Sequence, residues 1–203
     1  MKIICIGRNY VEHAAELKNE VPGEPVFFMK PDTALLPAGK DFYIPDFSND
    51  IHHEVELVLR ICKEGKHIAE EFASKYFDQI TVGLDFTARD VQQRQKEKGL
   101  PWEPAKAFDS SAPVGSFIPL NEVKNTKDIN FELKKNGITV QSGQSSLMLF
   151  SFEKIIAFVS SYVTLRKGDF IFTGTPKGVS RVEVGDQLEA FLEGKSLLKV
   201  SVK

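Results

Sequence analysis

Glu54, Glu56 and Asp85 are the residues of this 203-residue chain whose types and spacing point most directly at chemistry. They stand at the ends of two apolar stretches, in the contexts HHEVELVLRI and ITVGLDFTARD. Residues two apart in a strand project to the same face, so Glu54 and Glu56 sit about 7 Å apart at Cα. A third carboxylate from a neighbouring strand completes an all-oxygen set, which suits Mg²⁺, Mn²⁺ or Ca²⁺ rather than zinc. The segment also reads as a strand with one wet face, since His52, Glu54, Glu56, Val58 and Arg60 alternate with Val55, Leu57, Leu59 and Ile61. Asp85 equally fits a strand end ahead of a helix. These residues alone leave both readings open.

Other residues have chemical potential of their own. His13 and Glu16, at i and i+3 on a first helix, share a face, so the carboxylate can orient and polarise the imidazole as a general base for water. The same spacing also describes a surface ion pair. TGTPKGV follows an apolar strand, and its glycines permit close approach of backbone to a ligand. It offers Thr175 and backbone N–H groups to a carboxylate, or is a plain turn. Lys106, in LPWEPAKAF, is either an anion anchor or a surface residue, and Arg89 and Gln92 share the helix face that begins beside Asp85. Three other leads close. Gly194-Lys195-Ser196 lacks the glycine of a phosphate loop, because position 189 is Glu. His53-Glu54 lacks the second histidine of a zinc-protease motif, because position 57 is Leu. No GxGxxG follows a strand, so a dinucleotide cofactor has no support.

The elements that must position these groups are mostly strands. Alternation and apolar runs predict strands over 2–6, 26–30, 54–61, 80–86, 114–118, 130–135, 138–141, 170–173, 187–192 and 197–202. Asn136-Gly137 predicts a type I′ hairpin, and another turn lies at 193–196. Helices are expected from a capping-box-like start at Asn9 to about position 18, over 88–98 with Thr87 as cap and Gly99 as stop, and over 152–163. Many strands, few helices and no βαβ alternation give a β-rich α+β fold. The length fits a single domain over 1–203. With 42% apolar residues, 27% charged and a net charge of −2, nothing calls for nucleic acid or a membrane as partner. No stretch is long enough to span a bilayer, and Arg8 interrupts the short apolar run at the amino terminus, so a cytoplasmic location is expected. Cys5 and Cys62, both placed in strand segments, read as reduced thiols.

In order along the chain stand GRNYxxH, HHExEL, LDxTARDxQ, KGLPWxxAK and TGTPxGV. Together these motifs resemble the fumarylacetoacetate hydrolase superfamily, and specifically its compact acylpyruvase and oxaloacetate decarboxylase branch. The resemblance covers nearly the whole chain. It implies a mixed β-sandwich roll, a homodimer, and Mg²⁺ or Mn²⁺ bound by Glu54, Glu56 and Asp85. It further implies a catalytic His13–Glu16 dyad, with Lys106, Gln92, Arg89 and Thr175 binding substrate or stabilising charge. The activity it implies is C–C bond hydrolysis of an acylpyruvate by way of a pyruvate enolate. Oxaloacetate decarboxylation or tautomerisation, or isomerisation of a hydroxymuconate-type acid, uses the same enolate. A metal-dependent dicarboxylate-binding protein without turnover is the alternative of another class.

Overall fold

The computed structural model describes residues 1–16 and 20–203. Its centre is a six-stranded sheet in the order β2 (Val26–Lys30), β1 (Ile3–Gly7), β12 (Phe170–Phe172), β5 (Val55–Ile61), β6 (Phe77–Leu84) and β9 (Ile118–Pro119). β1 and β12 run parallel, with Ile3 opposite Phe170, and the other neighbours run antiparallel. A second, antiparallel sheet orders β11 (Ile138–Gln144), β10 (Asn130–Lys135), β14 (Gln187–Leu192) and β15 (Lys195–Ser201). β10, β14 and β15 pack against β5 and β6. Two small sheets complete the pairing: β13 (Ser180–Arg181), β4 (Ile51–His53) and β7 (Thr87–Ala88) in one, β3 (Leu35–Leu36) and β8 (Ala112–Pro113) in the other.

The central strands are covered on both faces, which explains their near-continuous apolar runs. Ile4, Ile6, Leu57, Leu59 and Ile171 join a large core with Phe131, Leu133 and the helix stripe Phe152, Ile155, Ile156 and Val159. Ile3, Cys5, Val58 and Phe172 form a smaller core on the opposite face. Both cysteines are free thiols; Cys5 is buried, while Cys62 lies just past the end of β5 and is partly exposed.

Among the described residues the α-helices are α1 (Val11–Glu16), α2 (Arg89–Lys98), α3 (Glu103–Lys106) and α4 (Phe152–Tyr162). The expected extension of the first helix to position 18 lies outside the described residues. α2 stops at Gly99, whose φ of 63° closes the last turn. Thr87 does not cap it: the cap position is Ala88, with no side-chain bond, and the Thr87 hydroxyl is committed to the interior. Ser151 caps α4 by accepting from Lys154 N–H at 3.2 Å. Asn136 and Gly137, at φ 54° and 81°, make the expected two-residue hairpin turn between β10 and β11. Among the described residues no helix is long and apolar enough to cross a membrane.

The expectation of a strand over 114–118 is corrected. Val114 makes only an isolated bridge to Gly83, and pairing resumes at Ile118. Gly115 N–H donates to the Val82 carbonyl and Ser116 N–H to the Leu197 carbonyl, so the chain bridges β6 and β15 here, and a Cβ on Gly115 would lie 2.8 Å from the Leu197 carbonyl.

Candidate functional site

Glu54 precedes β5 and Glu56 lies within it, both on the face that carries Val58. The one-wet-face reading therefore fails at this end: Glu54 and Glu56 are 4% and 2% exposed, and Val58 is fully buried. β6 runs beside β5 with Val55 opposite Leu84, which delivers Asp85 to the same end. Oxygens from the three carboxylates lie within 4.8 Å of one another.

Three cations answer this charge. Lys106, at the end of α3, is buried rather than on the surface, and its Nζ donates to Glu54 Oε2 (2.8 Å), Asp85 Oδ2 (2.7 Å) and Thr87 Oγ1 (2.6 Å). Arg89, the first residue of α2, holds Glu54 Oε1 through Nη2 at 2.5 Å and Gln92 Oε1 through Nη1 at 2.7 Å. Lys30, at the end of β2, stands 2.8 Å from Asp85 Oδ1 and donates to the Lys106 carbonyl and the Ser111 hydroxyl. Sequence reasoning missed Lys30; its only signal was a lysine closing the apolar run VFFM.

The carboxylates are unequal. Burial alone would raise the pKa of Glu54, but Lys106, Arg89 and His13 outweigh it and hold Glu54 well below the usual range. Glu56 is pushed well above its usual value by burial and by the charges of Asp85 and Glu54. It accepts from the Gly174 N–H at 2.7 Å, and no lysine or arginine is ion-paired to it among the described residues. An all-oxygen set with one under-compensated member is the donor chemistry that a hard divalent cation satisfies, so the residues fit Mg²⁺ or Mn²⁺. Gly174 itself is irreplaceable in shape: its φ is +104°, and a Cβ would meet the Asn9 Cβ at 2.6 Å.

The same cleft is lined by His13, Arg8, Gln92, Lys96, Trp102 and Thr175 as well as by the triad and Lys106. His13 is 5% exposed, and its Nδ1 lies 3.3 Å from Glu16 Oε2, whose carboxylate also accepts from Gly178 N–H at 3.1 Å. The pair is thus a buried imidazole with a more exposed carboxylate, tied to the TGTPKGV segment. Burial lowers the His13 pKa below 6.5, although Glu54 and Glu16 partly counter it. Asn9 fixes the two segments together, donating to the carbonyls of Thr173 (2.7 Å) and Phe150 (3.2 Å) and accepting from Phe150 N–H (2.8 Å). All of the residues singled out from the sequence therefore converge on one cleft, except that Glu16 reaches it only through His13.

A triad of this kind beside a buried histidine, on paired sheets with this connectivity, defines a class, and comparison with known proteins gives the family. The fumarylacetoacetate (FAA) hydrolase C-terminal family model matches residues 2–203. The chain belongs to that family. It is 43% identical over 201 residues to oxaloacetate tautomerase FAHD1, mitochondrial, of Mus musculus, covering 99% of this chain and 91% of the relative. It is 41% identical over 194 residues to the mitochondrial oxaloacetate decarboxylase of Dictyostelium discoideum, covering 95% and 89%. The crystal structure of fumarylpyruvate hydrolase from Pseudomonas aeruginosa in complex with Mn²⁺ and pyruvate superimposes with a TM-score of 0.93 at 37% identity, covering 100% and 89%.

Proposed function

We propose that this protein is a Mg²⁺- or Mn²⁺-dependent enzyme acting on a small 2-oxo acid, with oxaloacetate keto–enol tautomerisation as its first activity. The observation that carries the reading is the placement of a buried oxygen triad and a buried imidazole in one cleft. Glu54, Glu56 and Asp85 would hold a divalent cation, which would supply Lewis-acid stabilisation of negative charge on the substrate's oxygens.

The chain's own residues supply the proton chemistry and the grip. His13, kept neutral near pH 7 by burial, accepts the proton from the carbon next to the 2-oxo group and returns it to the oxo oxygen, which completes the enol and restores the base. Glu16 sets its orientation: with Nδ1 turned to the carboxylate, Nε2 is the nitrogen left for substrate. Thr175 and Gln92 bind the substrate's carboxylate and oxo oxygens, and Lys106, its three protons held by Glu54, Asp85 and Thr87, acts on developing negative charge through its positive field. Arg8, Arg89 and Lys96 bring positive charge to the same cleft, which suits a second carboxylate such as that of oxaloacetate.

A second reading is favoured by the His13–Glu16 pair. An oriented neutral imidazole can also activate water for attack on the 4-carbonyl of an acylpyruvate, so that the C–C bond breaks and pyruvate leaves as its enolate. Decarboxylation of oxaloacetate reaches the same enolate without water. A homodimer working in the cytoplasm completes the proposal; the mitochondrial names of the relatives make that compartment the alternative, which cell fractionation distinguishes.

The test is turnover of oxaloacetate and acetylpyruvate, side by side, with Mg²⁺ and with EDTA. Chelator-sensitive enol–keto exchange of oxaloacetate supports the first reading, and chelator-sensitive acetylpyruvate cleavage moves the assignment to the second. Full activity after rigorous chelation, or in Glu54→Ala, refutes the metal assignment.

A further inference from the structure

Behind Thr175 lies a buried hydrogen-bond chain whose polarity is dictated by two backbone groups. Gln141, on β11 of the second sheet, is 2% exposed. Its Oε1 accepts from the Val55 N–H at 3.0 Å, and its Nε2 donates to the Pro176 carbonyl at 3.0 Å. A backbone N–H can only donate and a carbonyl can only accept, so the amide has one orientation. Its second Nε2 hydrogen goes to Thr175 Oγ1 at 2.9 Å. The neighbours follow from this. His53 Nδ1, 2.8 Å from Gln141 Oε1, must carry the ring proton, and Nε2 accepts from the Ser180 hydroxyl at 2.8 Å.

Thr175 Oγ1 therefore spends a lone pair on Gln141 and has its own proton left to place. The Pro176 carbonyl is 3.5 Å away, long for a hydroxyl bond, and already takes the Gln141 amide. Thr175 lines the cleft, so its proton is left for a ligand acceptor. We propose that Gln141 is a positioning residue that sets Thr175 as a hydrogen-bond donor to an anionic oxygen of the bound acid, with His53 and Ser180 holding Gln141 in place. The inference rests on the reading of the cleft as a 2-oxo acid site. Fixing the hydroxyl beforehand spares the ligand that ordering, and the donation to a charged acceptor is of the stronger kind.

Glutamate at 141 keeps the acceptor for Val55 and His53 but sets a second acceptor against Thr175 Oγ1, which turns the hydroxyl proton inward. Methionine at 141 removes the amide and leaves the Thr175 hydroxyl free to rotate. The measurement is calorimetric binding of pyruvate to the Mn²⁺-loaded protein, which needs no turnover, with Mn²⁺ affinity measured separately. Gln141→Glu and Thr175→Val should each weaken pyruvate binding by about tenfold or more while Mn²⁺ affinity holds. Gln141→Met should weaken it less, and the Gln141→Glu/Thr175→Val double variant should be no weaker than Thr175→Val. Folded Gln141 variants that bind pyruvate as tightly as wild type overturn the inference, and so do additive losses in the double variant. A wild-type protein that binds Mn²⁺ but not pyruvate refutes the 2-oxo acid reading and the inference with it.

Discussion

Replacing Lys106 with methionine removes one positive charge while keeping most of the buried volume. In the intact protein that ammonium bonds Glu54, Asp85 and Thr87 at 2.8, 2.7 and 2.6 Å, and all four residues are buried. Solvent cannot rescue the carboxylates left behind. Removing one partner of a buried charge pair costs about 3–5 kcal/mol, because the remaining charge is uncompensated. Arg89 still holds Glu54 and Lys30 still faces Asp85, which places the expected loss near the lower end, about 3 kcal/mol. For a chain of this size that is about 6–12 °C in Tm. A divalent cation on the same oxygens replaces the missing charge, so Mg²⁺ should return most of the loss and stabilise the variant more than the wild type. Thermal melts of both proteins in EDTA and in saturating Mg²⁺ read this directly. A variant that melts within about 1 °C of wild type in EDTA refutes the counter-ion role of Lys106. Equal Mg²⁺ shifts in the two proteins refute the shared oxygens.

The further predictions concern the histidines. Because burial lowers the His13 pKa and a general base acts in its neutral form, the acid limb of kcat/KM should lie below pH 6.5. Glu16→Gln removes a contribution that holds this pKa up and should move the limb further to acid; a limb that stays in place breaks the link between the two residues. His13→Ala should lose about 10²–10⁴ in turnover with Mn²⁺ binding intact, and wild-type turnover would remove His13 from the mechanism. His53 has its pKa lowered by burial from 6.5 to about 4. The unfolded chain takes up that proton below pH 6.5 and the folded protein only near 4, so stability falls as pH falls through this window and levels off beneath it. The span is worth about 3 kcal/mol, which urea titrations of wild type and His53→Gln between pH 7 and pH 4 would register as a flatter profile in the variant.

The motifs carried the site further than they carried the fold. Glu54, Glu56 and Asp85 were legible because strand periodicity fixes which residues share a face, and the β5–β6 pairing then follows from register. α2 was bounded by Gly99 and α4 by its apolar stripe and Ser151, all local signals. The two-residue strands β3, β7, β8 and β13 were not legible, since so short a pairing carries no period of its own. Gln141 was equally hidden: on β11 it follows the ordinary alternation of a hairpin strand, and its importance comes from Val55 and Pro176, far away in sequence. Thr87 shows the limit from the other side. A threonine before a helix is a good cap by local rules, yet a buried ammonium 2.6 Å away is the stronger claim on its hydroxyl.

The parallel pairing of β1 with β12 joins residues 3–5 to residues 170–172, and this has a consequence for how the molecule assembles. The carboxylates come from two antiparallel neighbours joined by residues 62–76, so bringing them together closes a much shorter loop than the β1–β12 pairing does. The segment that brings His13, and the Gly174 amide that caps Glu56, meet only when both ends of that long loop close, a contact that is slow to find because its entropy is lost before its reward arrives. The acidic corner therefore carries the smaller loop-closure cost and the placement of the base the larger one. Reactivity towards substrate is thereby deferred until β12 is in place and the amino-terminal strand has somewhere to dock, an order that pulse-labelled hydrogen exchange would resolve as early protection of β5 and β6 and late protection of β1.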